Sequence, residues 1–307
     1  MTSRPHDDRR AGRGDDPSPH PSGLVLLCLL SVYLAWGSTY LAIRIALAGF
    51  PPFLLAGLRG LVAGSLLAAF GRWRGHSPVS WRALGNAALV GVLMVAGGNG
   101  LVTWAEQSVS SGLAAAVAST GSIWLVLMLA ALGEKPTGTE QAGIAIGFAG
   151  VLLLNLEGEL RASPLGAAAL LGATLSWAAG SVLTRRLVLP EGATFVAVEL
   201  LSGGILMTGF GYAIGERLIV SALTPSSVAA WCYLVVAGSL IGFSSFTFLI
   251  RNVRPALATS FVYVNPVVAV LLGVVLAGEH LSPIGTAGVA VSVVGLLVVT
   301  MASRASR

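Results

Sequence analysis

Residues 133–150 read GEKPTGTEQAGIAIGFAG, and residues 278–295 read GEHLSPIGTAGVAVSVVG. Set one above the other, Gly133, Glu134, Gly143 and Gly150 fall on Gly278, Glu279, Gly288 and Gly295. Working outward, WGSTYLAIR (36–44) aligns with WAAGSVLTR (177–185), and RGLVAG (59–64) with ELLSGG (199–204), at nearly the same spacing. Identities among Leu, Val and Ala carry no weight in so apolar a chain, but shared Trp, Arg and Gly-Glu positions do. The second half of the chain reads as a copy of the first.

Each copy holds five apolar segments, running over 24–47, 54–70, 84–105, 111–132 and 140–156, then 164–187, 194–213, 227–250, 256–276 and 284–301. Most approach the roughly 20 residues that cross a ~30 Å hydrocarbon core. A unit with an odd number of spans enters the membrane with opposite orientation when repeated. Secondary transporters use that arrangement and bind substrate between the repeats. The sequence therefore predicts an all-α membrane protein of ten transmembrane helices in two inverted five-helix repeats. Residues 24–156 form the first repeat and 164–301 the second. Residues 1–23, rich in Pro, Arg, Asp and Ser without apolar periodicity, form a disordered cytoplasmic tail.

Composition agrees. A chain that is 55% hydrophobic and 10% charged is too apolar for a soluble domain of this length. The net charge of +5 reports topology, not a nucleic-acid partner. With both termini cytoplasmic, Arg4, Arg9, Arg10, Arg13, Arg72, Arg74, Arg82, Lys135, Arg185, Arg186, Arg251, Arg254, Arg304 and Arg307 lie on the cytoplasmic side. Only Arg161 and Arg217 lie opposite, which follows the positive-inside rule. The Arg9-Arg10 pair does not make a twin-arginine signal, because an acidic, proline-bearing stretch follows and the first span is too long for a cleaved h-region. Cys28 and Cys232, far apart in different spans and without metal-ligand spacing, are expected to be buried thiols.

At WGSTYLAIR, at RNVRPALATSFVYVNPVVAVLLGVVLAGE (251–279) and at the paired Gly-Glu turns, the chain resembles the drug/metabolite transporter superfamily. Within it the resemblance is to the ten-helix EamA-type exporters, over residues 24–301. The resemblance implies two inverted halves around a central cavity and efflux of small metabolites, often amino acids or drugs. One departure stands out. The fourth span carries Ser122 where such proteins often have a proline, while its repeat-mate keeps Pro266.

Trp36, Tyr40 and Arg44 stand at i, i+4 and i+8, on one helical face, and Trp177, Ser181 and Arg185 repeat the pattern. Such a stripe faces protein or a watery cavity. Alternatively the tryptophans anchor at the membrane interface and the arginines snorkel to headgroups. Arg59 and Glu199 lie about six residues into their spans, on the order of 9 Å deep, and approach from opposite membrane faces. Each needs a partner or water. Glu199 is either a protonatable coupling residue or a bond to a neighbouring helix. Asn99 shares a face with Thr103 and Glu106, and Glu106, at the outer end, is expected to be solvated. Thr120, Thr247 and the ninth-span residues Tyr263 and Asn265 complete the expected substrate pathway. Pro266 removes its own donor and clashes with the Val262 carbonyl, predicting a kink near the bilayer midplane.

These features favour a secondary transporter. The competing classes are a membrane-embedded enzyme and a receptor-like protein without transport activity. All four histidines lie in tails or loops and there is no HExxH, so neither a metal site nor any other cofactor is expected, and the chain is not read as an enzyme. Phosphate-binding loops are missing, which argues against ATP-driven pumping. The expected partners are a small-molecule substrate, protons and the bilayer of the bacterial inner membrane, with the chain acting as a monomer. The arginine asymmetry makes a direct prediction: a cysteine placed by His76→Cys should react with an impermeant thiol reagent only from the cytoplasmic face.

Overall fold

The computed structural model of the chain describes residues 22–75, 79–108, 114, 117–118, 120–155, 164–277 and 283–305. Every regular element among them is helical. The first expected span is α1 (Ser22–Gly37) and α2 (Thr39–Ala46), interrupted at Ser38. The second is α3 (Pro52–Trp73). The third is one helix, Trp81–Ala105, in which a π-helical stretch, Val92–Gly100, separates α4 (Trp81–Gly91) from α5 (Leu101–Ala105). Of the fourth, α6 (Gly121–Ala131) is described, and α7 (Gly138–Asn155) is the fifth. The second half brings α8 (Pro164–Arg186) and α9 (Gly192–Ala213). Then come α10 (Pro225–Tyr233), a second π stretch Leu234–Ile241 and α11 (Gly242–Asn252). Short α12 (Pro255–Ala258), α13 (Phe261–Ala277) and α14 (Pro283–Ala305) close the chain. Six helical stretches among the described residues are long and apolar enough to cross a membrane.

The helices start where the sequence supplies caps. Ser80 accepts a bond from the Ala83 amide, Thr224 and Ser227 form a reciprocal capping box, and Thr137 and Glu140 do the same at α7. The Glu216 carboxylate reaches from another loop to take the Phe53 and Leu54 amides at the start of α3, where helix donors are otherwise orphaned.

The π stretches do similar work for the bundle interior. A carbonyl in each accepts a side chain from a distant helix: Leu93 from the Ser176 hydroxyl at 2.7 Å, and Gly238 from the Trp36 indole at 2.9 Å. The first bond ties the third span to α8, and the second ties the eighth span to α1.

The two most extensive helix contacts join α3 to α9 and α7 to α14. Both rest on glycine. A Cβ on Gly204 would lie 2.8 Å from the Leu61 nitrogen, and one on Gly295 would strike the Gly147 backbone. With no hydrophobic force between helices in lipid, such close backbone approach carries the association. Leu27, Leu34, Leu66, Ile205 and Leu297 remain exposed on the outside, as a lipid-facing surface requires. Trp73 and Trp81 are exposed beside Arg72 and Arg82, the composition of a membrane interface. The expectation of buried thiols is met by Cys28 but not by Cys232, which is exposed.

The ninth span departs from expectation. The chain is interrupted at Thr259 and Ser260, and α13 then runs on through Pro266 as one helix. The hydroxyls of Thr259 and Ser260 bond back to the Pro255 and Leu257 carbonyls, which lets the backbone turn there without orphaned acceptors.

Because the Gly147–Gly295 contact is backbone on backbone, Gly295→Val should force α7 from α14. The expected loss is about 1–3 kcal/mol, read as a lower thermal midpoint of the detergent-solubilised protein.

Candidate substrate pathway

A cavity lies inside the bundle, and Trp36, Tyr40, Arg59, Asn99, Trp177, Ser181 and Asn265 all line it. Seven of the residues singled out in the sequence thus meet around one space, from five different spans. Thr39, Ser122, Thr174, Thr259, Phe261 and Val262 complete much of the wall.

One side of the cavity is an aromatic cluster. The Trp36 and Trp177 rings meet edge to face with centroids 5.2 Å apart, Phe261 lies 4.8 Å from Trp36, and Phe246 lies 5.4 Å from Trp177. Edge-to-face geometry lets each positive ring edge meet a negative face. Trp36 spends its N–H on the Gly238 carbonyl. The Trp177 Nε1 is buried and donates to nothing.

Polar groups sit on the remaining walls. Arg59 is 2% exposed, and its Nε donates to the Ser239 hydroxyl at 2.6 Å. Ser239 belongs to the second π stretch, so that irregular backbone anchors the Arg59 guanidinium at the cavity wall. Asn99 belongs to the first π stretch. Asn265 is 3% exposed, and its Oδ1 accepts no hydrogen bond. Ser181 donates to the Trp177 carbonyl one turn back. Two of the lining residues, Trp177 and Asn265, thus carry a buried polar atom without a partner, and Arg59 adds a cation to the wall.

Other expected residues lie elsewhere. Thr120 bonds the Val117 carbonyl and precedes the lining residue Gly121. Thr247 is buried in α11 off the cavity, and the Tyr263 ring packs against Gly147 of α7. Glu199 is fully buried beside Gly91, at the contact of α9 with α4, and neither carboxylate oxygen has a hydrogen-bond partner. Arg59 turns to Ser239 and does not bond Glu199. Arg44 lines a separate pocket together with Glu106, Gln107 and Arg217. The expectation that Glu106 is solvated is corrected: it is 7% exposed, both oxygens without a partner. It caps α5, and the neighbouring helices cover it.

The arginine-rich end carries an ion-pair cluster that the reading by spans missed. Glu134 meets Arg185 at 3.3 Å and Arg186 at 2.9 Å. Arg185 also donates to the Ile250 carbonyl at 2.6 Å. Arg254 grips Glu140 with two nitrogens, one to each oxygen, and this pairing raises the already high pKa of the guanidinium. Each pair joins one half of the chain to the other. The T-x-x-E spacing of Thr137 and Glu140 was the available signal, since it places a carboxylate at a helix start.

Membrane-crossing helices around a cavity of aromatic and polar side chains define a membrane transporter. The EamA-like transporter family matches the chain twice, over residues 23–156 and 164–301. The chain belongs to that family and is a multi-pass inner-membrane protein. It is 45% identical over 274 residues to the uncharacterized inner membrane transporter YedA of Escherichia coli strain K12, covering 89% of each chain. Protein PecM of Dickeya dadantii is 27% identical, over 89% of this chain and 91% of its own. A protein of Streptantibioticus cattleyicolor named a probable terminal-alkyne amino-acid exporter is 24% identical, over 88% of this chain and 91% of its own. A crystal structure at 23% identity has a TM-score of 0.77, over 93% of this chain and 99% of that one.

Since Ser239 anchors a buried cation, Ser239→Ala should cost about 1–2 kcal/mol. The measurement is thermal unfolding in detergent, where the variant should melt below the parent.

Proposed function

We propose that the chain is a secondary exporter of small metabolites, amino acids or related compounds or drugs, working by alternating access as a monomer. The two halves act as inverted five-helix repeats, residues 24–156 and 164–301, with both termini and the arginine-rich end in the cytoplasm. The paired features support this: a Trp-bearing helix and a π stretch recur in each half, and two glycine seams join helices of one half to helices of the other. The probable terminal-alkyne amino-acid exporter among the relatives is in keeping with the substrate class.

The observation that carries the proposal is the gathering of polar and aromatic side chains on the cavity wall. Arg59 and the Trp177 N–H suit a carboxylate, Asn265 Oδ1 suits an amine, and Trp36 and Phe261 suit an apolar side chain. Pro266 adds to this, because it has no N–H to give the Val262 carbonyl, and Val262 lines the cavity. An aromatic wall with a few placed polar groups is the usual form of a small-molecule site. The ion pairs Arg185–Glu134, Arg186–Glu134 and Arg254–Glu140 shut the cytoplasmic end in this state and must part for substrate to enter.

The test is a growth screen in which cells overproducing the chain are challenged with amino acids, their analogues and drugs. Resistance to a zwitterionic compound is expected. Trp177→Ala and Asn265→Ala should abolish it at unchanged membrane abundance, and Pro266→Ala should weaken it. Resistance that survives both cavity substitutions would remove the cavity from the pathway.

A further inference from the structure

Three carboxylates are buried among the described residues: Glu106, Glu140 and Glu199. Glu140 is fully engaged by Arg254 and Thr137. Glu199 and Glu106 both keep two oxygens that accept no bond, and a carboxylate left so is among the costliest groups to bury. They differ in where they stand. Glu199 lies where α9 packs on α4 and lines neither the central cavity nor the pocket that holds Arg44. Glu106 lines the pocket at the end opposite the arginine cluster, with Arg44, Gln107 and Arg217. It also lies within electrostatic reach of Tyr40, which lines the central cavity. Glu106 therefore stands between the central cavity and the outer pocket.

We propose that Glu106 is a proton-binding site at the outer mouth of the pathway, and that its protonation, not that of Glu199, couples transport to a proton gradient. This rests on the transporter reading above. The carboxylate takes one proton from water in the outer pocket and becomes a neutral acid, which removes the uncompensated charge. When the proton leaves, the carboxylate regains its attraction to Arg44 across the pocket, drawing α2 toward α5 and narrowing the mouth.

The groups facing Glu106 bear this out. From α2 come Tyr40 and the exposed Arg44, and the loop after α9 brings Arg217 and Glu216, whose carboxylate is taken up by the Phe53 and Leu54 amides. The nearby parts of α3 (52–58) and α8 (164–177) hold no titratable residue. Loops 156–163 and 278–282, which contain Glu157, Glu159, Arg161, Glu279 and His280, lie outside the described residues. Burial favours the neutral acid at Glu106, and the Arg44 charge opposes this through space, without a bond to either oxygen.

Infrared difference spectra of the purified full chain, taken across a pH titration, test the site without any substrate. A carboxylic-acid C=O band at the high-frequency end, where buried acids with few hydrogen bonds absorb, should grow as pH falls. It should vanish in Glu106→Gln and persist in Glu199→Gln. Arg44→Gln removes the cation that favours the carboxylate, so the band should move to higher pH by about one unit. A band unchanged in Glu106→Gln, or lost only in Glu199→Gln, overturns the proposal. Coupling is read in liposomes with the compound that the growth screen selects. The parent should concentrate it when only a proton gradient is imposed. Glu106→Gln should keep exchange but lose that response, and a variant that still concentrates the compound overturns the coupling role. Failure of the growth screen would strike the transporter reading alone, because the infrared titration does not depend on it.

Discussion

A bilayer core holds no water to satisfy a backbone, so each polar group of a spanning helix must find its partner inside the bundle. The two π stretches are where that constraint shapes the protein most. The Leu93 carbonyl takes the Ser176 hydroxyl, and the Gly238 carbonyl takes the Trp36 indole. Those bonds fix the third span to the sixth and the eighth to the first, crossing between the halves both times. The same irregular stretches carry Asn99 and Ser239. Ser239 in turn holds Arg59 at the cavity. The polar lining of the cavity is thus a consequence of how the backbone is satisfied around it.

Charge then distinguishes the two ends of the bundle. At the arginine-rich end Glu134 bridges Arg185 and Arg186, and Glu140 is held by Arg254 and Thr137. These contacts are partly buried, and a bidentate arginine in that setting is stronger than an exposed pair. At the other end Glu106 has no bond to accept although Arg44 and Arg217 share its pocket. Among the described residues, side-chain ion pairs tie the arginine-rich end, while Glu106 at the other end makes none.

Much of this was legible in the sequence because helical periodicity and membrane energetics act together. Trp36 and Tyr40, like Trp177 and Ser181, share a helical face, and a polar stripe has nowhere to go but the cavity. The deep placement of Arg59 and Asn265 gave the same answer. Periodicity says nothing, however, about which neighbour covers a face. Tyr263 lies two residues from Asn265 yet packs on Gly147, and Glu199 occupies the repeat position of Arg59 yet meets a helix contact. Glu106 was misread because position near a span end is a poor guide to exposure when the capping residue is covered by other helices. The break at Thr259 and Ser260 was hidden for a different reason. Proline is the stronger local signal, but paired hydroxyls can satisfy an interrupted backbone from within.

Burial of polar groups beside the cavity carries a cost. A buried indole N–H and a buried amide oxygen without partners each forfeit hydrogen bonding that water would have given, about 1–3 kcal/mol apiece. A solute that supplies both an acceptor and a donor recovers that loss. A purely apolar solute of the same size leaves it standing and displaces any water that might relieve it. A site built to hydrogen-bond its ligand discriminates strongly against analogues lacking the matching group. The Trp36 and Phe261 rings on the wall, by contrast, present apolar surface with no hydrogen-bond demand. Under the proposed exporter reading, strict demand at the polar end and tolerance at the aromatic end would select for a head group and leave the side chain that follows it free to vary.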